Sequence, residues 1–409
     1  MQIDTIQKKD AFINVLQVAL ECNSYALGVL CKTGWINTQS VVGFTALMWC
    51  ANSNEDHFKS ARLLCSYNAD VNLLDQYKNT AIIYAANNNH IKIVNLLIHY
   101  DAKVNIKNVE GYTALMIASQ KGHTDIVNSL IKYGAKLDVA NKDDATALMM
   151  ASQKGHTDIV NSLIKYGAKL DVANKDGATA LMMASQKGHT DIVNSLINHE
   201  AKLDVASKAG TTALMMASQK GHTDIVNSLI NHEAKLDVAS KAGTTALMMA
   251  SQKGHTDIVN SLIKYGAKLD VANEDSATAL IYAAAYGRTD VVELLCKRLC
   301  EKGHTVDAQD NHNNTALIYA VKSKHVESVK LLFRYGADKN IINENGETAA
   351  NIAEQSDNLD IKKLLCDETA DVNLQNNDTL PSHIDVATED ADSSDVIGDL
   401  GKTHENYDY

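Results

Sequence analysis

Apolar residues recur along this chain in short clusters separated by polar, turn-forming stretches, and the clusters alternate between two kinds. Thr113 to Ala145 reads TALMIASQKGHTDIVNSLIKYGAKLDVANKDDA. Its first cluster, Leu115, Met116 and Ala118, makes the apolar face of a short helix that stops at Gly122 and His123. Its second cluster, Ile126, Val127, Leu130 and Ile131, is the stripe of a helix starting near Thr124 and Asp125, whose oxygens suit the electropositive first turn. Gly134 ends that helix, because the residue just past a helix often takes a left-handed conformation that glycine adopts freely. The remainder, AKLDVANKDDA, is polar and is expected to project as a hairpin-like finger toward the next repeat.

The pattern is periodic. The threonine opening each TALM-like block falls at Thr45, Thr80, Thr113, Thr146, Thr179, Thr212, Thr245, Thr278, Thr315 and Thr348, with gaps of 35, then 33 six times, then 37 and 33. A repeat this small cannot bury enough apolar surface to stand alone, so each depends on stacking against its neighbours. Residues 1–42 lack the threonine marker but offer two helical stretches, Phe12 to Leu20 and Ala26 to Lys32, closed by Gly34, and are expected to form an N-terminal cap. Ten repeats then occupy 43–373. The segment 374–409 carries nine acidic residues against one lysine and the chain's single proline, Pro381, a composition expected of a disordered acidic tail.

Over roughly residues 5–373 the chain resembles the ankyrin-repeat family, whose repeat opens T-P-L-H, continues through A-A, G-H, I-V and L-L-L, and closes with G-A. The matching positions are Thr113, Ala114, Leu115, Met116, Gly122, His123, Ile126, Val127, Gly134 and Ala135. The resemblance implies an all-α repeat solenoid with a helix-turn-helix plus hairpin loop per repeat, arranged as an elongated curved array. It further implies a non-enzymatic protein that binds another protein through its hairpin tips and the face of its first, inner helices. Two departures matter. Met116, Met149, Met182, Met215 and Met248 replace the family histidine that bonds the threonine hydroxyl, and are expected to pack between repeats. At the second helix stop, Asn68, Asp101, Glu200, Glu233 and Thr369 replace glycine, at a cost of order 1 kcal/mol for Glu and Thr, so the repeats with Glu200 and Glu233 are expected to be softer.

Charge and composition narrow the function. Fifty acidic residues against 38 basic ones leave a formal charge of -12, which disfavours nucleic acid and anionic membranes as partners. Seven scattered cysteines (Cys22, Cys31, Cys50, Cys65, Cys296, Cys300, Cys366) read as free thiols in a reducing compartment. The first residues lack a cleaved secretory signal and no apolar run reaches membrane-spanning length, so a cytoplasmic protein is expected; export into a host cell without a cleaved signal is the alternative. The low proline content, the abundance of Asn, Lys and Ile and the tandem duplication resemble ankyrin proteins of intracellular bacteria or microbial parasites, many of which act on host proteins.

Chemistry-bearing patterns are sparse. His123, His156, His189, His222 and His255 recur one per repeat, too far apart to share a metal, and read as loop-stabilising residues. Cys296 and Cys300 share a helix face, and Gly401-Lys402-Thr403 imitates the end of a phosphate loop without its leading glycine. No activated nucleophile, metal set or cofactor motif emerges, so neither enzyme activity nor a cofactor is expected.

Thr179 to Thr211 is identical to Thr212 to Thr244, so the middle of the array repeats one surface. Gln120 and Lys121, Gln153 and Lys154, Gln186 and Lys187, Gln219 and Lys220, and Gln252 and Lys253 recur on it, a ladder about 40 Å long at roughly 10 Å per layer. Lys142 and Lys175 stand on adjoining fingers. Such a surface either reads a repeating partner or serves as a spacer. In the spacer case specificity falls to the divergent flanks, where Tyr84, Tyr282 and Tyr319 take the place of the second methionine, either as contact residues or as packing between repeats. The expected protein is a monomeric interaction scaffold, with a mechanical spacer or a host-directed effector as alternatives.

Overall fold

The computed structural model describes residues 2–21, 23–32 and 34–366, with side chains from residue 11 onward except that of residue 24. The acidic segment 374–409 with Pro381 and Gly401-Lys402-Thr403, and also Cys22 and Thr369, lie outside the described residues. Chain contacts divide the protein into two compact units, Met1–Ser207 and Lys208–Tyr409.

The first unit contains α1 (Gln2–Leu20), α2 (Ser24–Lys32), α3 (Ala46–Asn52), α4 (Phe58–Ser66), α5 (Ala81–Asn87), α6 (Ile91–His99), α7 (Ala114–Lys121), α8 (Thr124–Lys132), α9 (Ala147–Lys154), α10 (Thr157–Lys165), α11 (Ala180–Lys187) and α12 (Thr190–Asn198). The second contains α13 (Ala213–Lys220), α14 (Thr223–Asn231), α15 (Ala246–Lys253), α16 (Thr256–Lys264), α17 (Ala279–Ala285), α18 (Thr289–Glu301), α19 (Ala316–Lys322), α20 (Val326–Arg334), α21 (Ala349–Gln355) and α22 (Leu359–Cys366). Within each unit the first helices of successive repeats pack on one another, and so do the second helices, giving tandem helix pairs. Among the described residues the one β feature is an isolated bridge between Ala272 and Thr278, so the fingers are turns rather than strand ladders.

Local chemistry sets the helix ends. The hydroxyl oxygens of Thr113, Thr146 and Thr179 accept from the backbone N–H of Met116, Met149 and Met182 at 3.3 to 3.4 Å, so threonine caps the helix without the family histidine. Those methionine side chains, with Met215 and Met248 in the second unit, are buried to about 1% exposure and fill the space between layers. Each inner helix of the central repeats ends on a left-handed glycine, such as Gly122 at φ 82°. α1 runs well ahead of Phe12, back to Gln2, because no Gly or Pro interrupts the stretch before it.

The second helices with a non-glycine stop close as the others do. Glu200 and Glu233 both sit at φ 67°. Glu200 N–H reaches the Ile197 carbonyl and Ala201 N–H the Leu196 carbonyl, the pattern that Gly134 and Ala135 make with Ile131 and Leu130. The loop has therefore kept its geometry and holds glutamate in a strained conformation. Glu200→Gly and Glu233→Gly are each expected to raise stability by up to about 1 kcal/mol, the relieved left-handed strain exceeding the entropy that glycine adds to the unfolded chain. Urea unfolding midpoints of the single and double variants check this, with additive gains expected.

Candidate functional site

Each finger is folded by its first polar side chain. In the first unit Asn141 Oδ1 accepts from the N–H of Asp143 at 2.9 Å and of Ala145 at 2.8 Å, while Asn141 N–H closes the turn on the Ala145 carbonyl. Asp75 does the same for Tyr77 and Asn79, and in the second unit Asp310 does so for His312 and Asn314. One backbone bond then joins each finger to the next. Gln76 donates to Val42 O, Val109 to Tyr77 O, Lys142 to Glu110 O and Lys175 to Asp143 O in the first unit; Lys241 to Ala209 O and Glu274 to Ala242 O follow in the second. A rigid row of tips results within each unit, and what it offers depends on the two residues after the polar one.

Those two residues change character along the first unit. In its first finger they are Val41, 79% exposed, and Val42, also exposed. The second finger offers Gln76 and Tyr77, with exposed Leu74 beside them, and the third offers half-buried Val109 with Glu110. The fingers that follow carry charge instead, Lys142 with Asp143 and Lys175 with Asp176. Gln39 fixes the apolar edge, its amide donating to Gly43 O at 2.7 Å and to Leu74 O at 2.8 Å. Exposed apolar side chains on a hydrogen-bonded edge are the strongest candidate contact surface in this unit. The signal was present in the sequence as Val41, Val42, Tyr77 and Val109 at turn positions that elsewhere hold polar or charged residues or alanine.

The recurring lysines and glutamines are placed differently from the tyrosines. Lys121, Lys154 and Lys187 in the first unit and Lys220 and Lys253 in the second are the exposed last residues of inner helices. Their neighbours Gln120, Gln153, Gln186, Gln219 and Gln252 are half-buried. Lys142 and Lys175 are exposed on the fingers, Lys142 Nζ lying 3.5 Å from Glu110 Oε1.

Tyr282 and Tyr319, by contrast, are buried, which corrects their candidacy as contact residues. The Tyr319 hydroxyl donates to Asp310 Oδ2 at 2.6 Å, and Asn273 Nδ2 donates to the Tyr282 hydroxyl at 3.0 Å. Tyr84 donates to Asp75 Oδ2 at 2.5 Å and meets the Phe44 ring edge-on at 5.0 Å. Each reaches back to the base of its own finger and stiffens it. Burial and the Asp75 carboxylate hold the Tyr84 hydroxyl well above its usual range.

The recurring histidines join repeats through the backbone. His156 donates from Nε2 to the Gln120 carbonyl at 3.1 Å, His189 to Gln153 at 3.2 Å and His255 to Gln219 at 3.2 Å. Arg288 takes over the role with Nε 3.0 Å from the Gln252 carbonyl. Among the described residues no group of three or more His, Cys, Asp or Glu could hold a metal. Cys296 is buried, its thiol pushed up to about 12 by burial, and Cys300 is exposed.

Burial holds the His123 and His325 imidazoles below their ordinary value of 6.5. The unfolded chain therefore binds more protons than the folded one as pH drops below about 6.5, so the contribution is complete above that value and is lost as pH falls through the depressed folded values. Thermal midpoints are expected to fall by a few degrees between pH 7 and pH 5, and less so in a variant with His123→Gln and His325→Gln.

A family profile described as "Ankyrin repeats (3 copies)" matches residues 8–108, 101–174, 148–241, 233–310 and 295–376. The chain belongs to the ankyrin-repeat family. Ankyrin repeats are a protein–protein interaction module. The ankyrin chain is 51% identical over 49 residues to an ankyrin repeat protein of Acanthamoeba polyphaga mimivirus, covering 12% of each sequence. It is 34% identical over 80 residues to an ankyrin repeat protein of fowlpox virus, covering 20% of this chain and 12% of the other. The matched stretches thus span about an eighth of either relative. Both relatives are viral. Among the described residues no helix is long and apolar enough to cross a membrane.

Proposed function

We propose that this ankyrin protein is a non-enzymatic scaffold that binds a partner protein through its hairpin tips and the adjoining inner-helix face, with the decisive contacts on its first three fingers. The observation that carries this reading is the exposed apolar edge of Val41, Val42, Leu74 and Tyr77. Apolar and aromatic side chains on a pre-ordered backbone bury area at little entropic cost, and tyrosine is favoured among residues that dominate binding. A soluble partner in a reducing compartment fits Cys31, Cys50, Cys65, Cys296 and Cys300, none of which forms a disulfide.

The near-identical central repeats favour a second role for the middle of the chain, that of spacer. Thr179 to Thr211 and Thr212 to Thr244 present the same side chains in the same order, so this stretch distinguishes no position along itself.

The test is affinity capture from lysate with three full-length baits: the natural chain, a Val41→Asp/Tyr77→Asp variant, and a Lys121→Glu/Lys154→Glu/Lys187→Glu variant. Partners lost by the finger variant and kept by the ladder variant support recognition at the flank. The reverse pattern assigns recognition to the lysine ladder. Capture of the same proteins by all three excludes both surfaces.

A further inference from the structure

A protein segment can dock on a row of hairpins by adding a strand to it or by laying a helix against its side chains. The backbone of the fingers decides between the two. In the second finger Asp75 N–H donates to Asn79 O, Gln76 N–H to Val42 O and Lys78 N–H to Asp75 O, while the N–H groups of Tyr77 and Asn79 share Asp75 Oδ1. The third finger repeats the set. Asn108 N–H reaches Tyr112 O, Val109 N–H reaches Tyr77 O and Gly111 N–H reaches Asn108 O, while Glu110 and Tyr112 share Asn108 Oδ1. Every amide from 75 to 79 and from 108 to 112 is thus engaged, and an added strand would find no donor there. An extended or polyproline-type segment would also have to strip water from its own backbone in order to lie on valine and leucine. A helix satisfies its backbone internally and pays no such penalty.

Spacing points the same way. Successive layers of a stacked array lie roughly 10 Å apart, and seven residues of an α-helix advance about 10.5 Å and return to nearly the same face. Apolar residues seven apart on one helix would therefore meet Val41 and Val42, then Leu74 and Tyr77, then Val109, in that order. Charge sets the borders. The exposed ionic side chains of these fingertips are Lys78, Lys107 and Glu110. Glu110 is matched by Lys142 at 3.5 Å, whereas neither Lys78 nor Lys107 has a carboxylate in reach among the described residues. Lys107 places its ammonium on the Ala140 carbonyl at 2.7 Å, which leaves its charge unneutralised. The apolar edge is therefore locally positive on a chain of net charge -12, and its electrostatic complement is acidic.

We propose that the partner segment is an amphipathic α-helix lying along the first three fingers, with apolar residues at seven-residue intervals over about four turns and acidic residues beside them. This rests on recognition at the finger edge proposed above and names the chemistry of what is recognised there.

Peptide display on the full-length chain is the test. Randomised peptides of about 20 residues are selected from two libraries, one on a helix-favouring alanine and glutamate framework and one on an extended threonine and valine framework. Winners are expected from the helical library, with apolar residues seven apart, acidic residues beside them and a gain of helical circular dichroism on binding. Val41→Asp with Tyr77→Asp in the chain should weaken the best winner at least about 30-fold, and a proline at the centre of the peptide should do the same. Both chain residues are exposed, so the chain's own circular dichroism should be unchanged. Lys78→Glu should weaken binding about 2- to 5-fold at low salt and less at high salt. Winners that depend on the fingers but are extended or proline-rich overturn the helix and leave the finger edge standing. Winners indifferent to the Val41 and Tyr77 changes, or none from either library, overturn the finger edge and the helix together. A helical winner unmoved by Lys78→Glu at low salt overturns the acidic border.

Discussion

Truncating Leu163 to alanine should lower the stability of the first unit by about 2–5 kcal/mol. Leu163 lies on α10, is fully buried, and belongs to a helix packed against α8, α9 and α12. Removing its isobutyl group leaves a cavity that helices in a stacked row cannot collapse to fill, because each is held by neighbours on both sides. Stability in such a row is a sum of intrinsic and nearest-neighbour terms, so the loss falls first on the pairs α7–α8, α9–α10 and α11–α12. A lower urea midpoint checks the magnitude, and amide hydrogen exchange should show lost protection in those pairs ahead of the second unit. Lys154→Ala, at an exposed helix end, is the matched control with an expected change within about 0.5 kcal/mol. A Leu163→Ala change as small as the control's would mean that the layers are far looser than their burial indicates.

Gly155→Ala is expected to cost about 2–3 kcal/mol, large for one methyl group. Gly155 closes α9 at φ 79°, where a Cβ adds about 1–2 kcal/mol of backbone strain. That Cβ would also lie 2.6 Å from Cε1 and 2.9 Å from Nδ1 of His189. The imidazole cannot swing away without breaking its 3.2 Å bond to the Gln153 carbonyl, and a bond of this kind contributes about 1 kcal/mol. The double variant Gly155→Ala/His189→Ala separates the terms. Its loss should fall short of the sum of the single losses, because removing the ring removes the clash. Additive losses would place the whole glycine effect in the backbone.

The same local logic explains what was legible in the sequence. Thr113 before an apolar cluster, Gly122 after it and Gly134 at the next stop each act on atoms a few residues away, so helix ends could be read from residue types and spacing. α7, α8 and their counterparts accordingly begin and end where the pattern puts them. The 33-residue period supplied the architecture as well, since identical neighbours must stack alike. Methionine between layers followed from its apolar character at the third residue past Thr113, Thr146, Thr179, Thr212 and Thr245.

What the sequence left open concerns atoms brought together from distant positions. Tyr282 and Tyr319 have the side chain of a binding residue, but a bend in their own repeat brings a finger base nine residues back within reach of each hydroxyl and turns the ring inward. His156 and its counterparts showed their spacing but not their acceptor, a carbonyl 36 residues earlier whose availability depends on the preceding helix ending there. The apolar fingertips escaped notice for a related reason. Composition shows that valine or tyrosine is present, whereas whether a side chain is covered depends on which layers lie beside it. Covalent geometry and side-chain chemistry thus determined the repeat, and the order in which repeats stack decided which of its surfaces remain to be used.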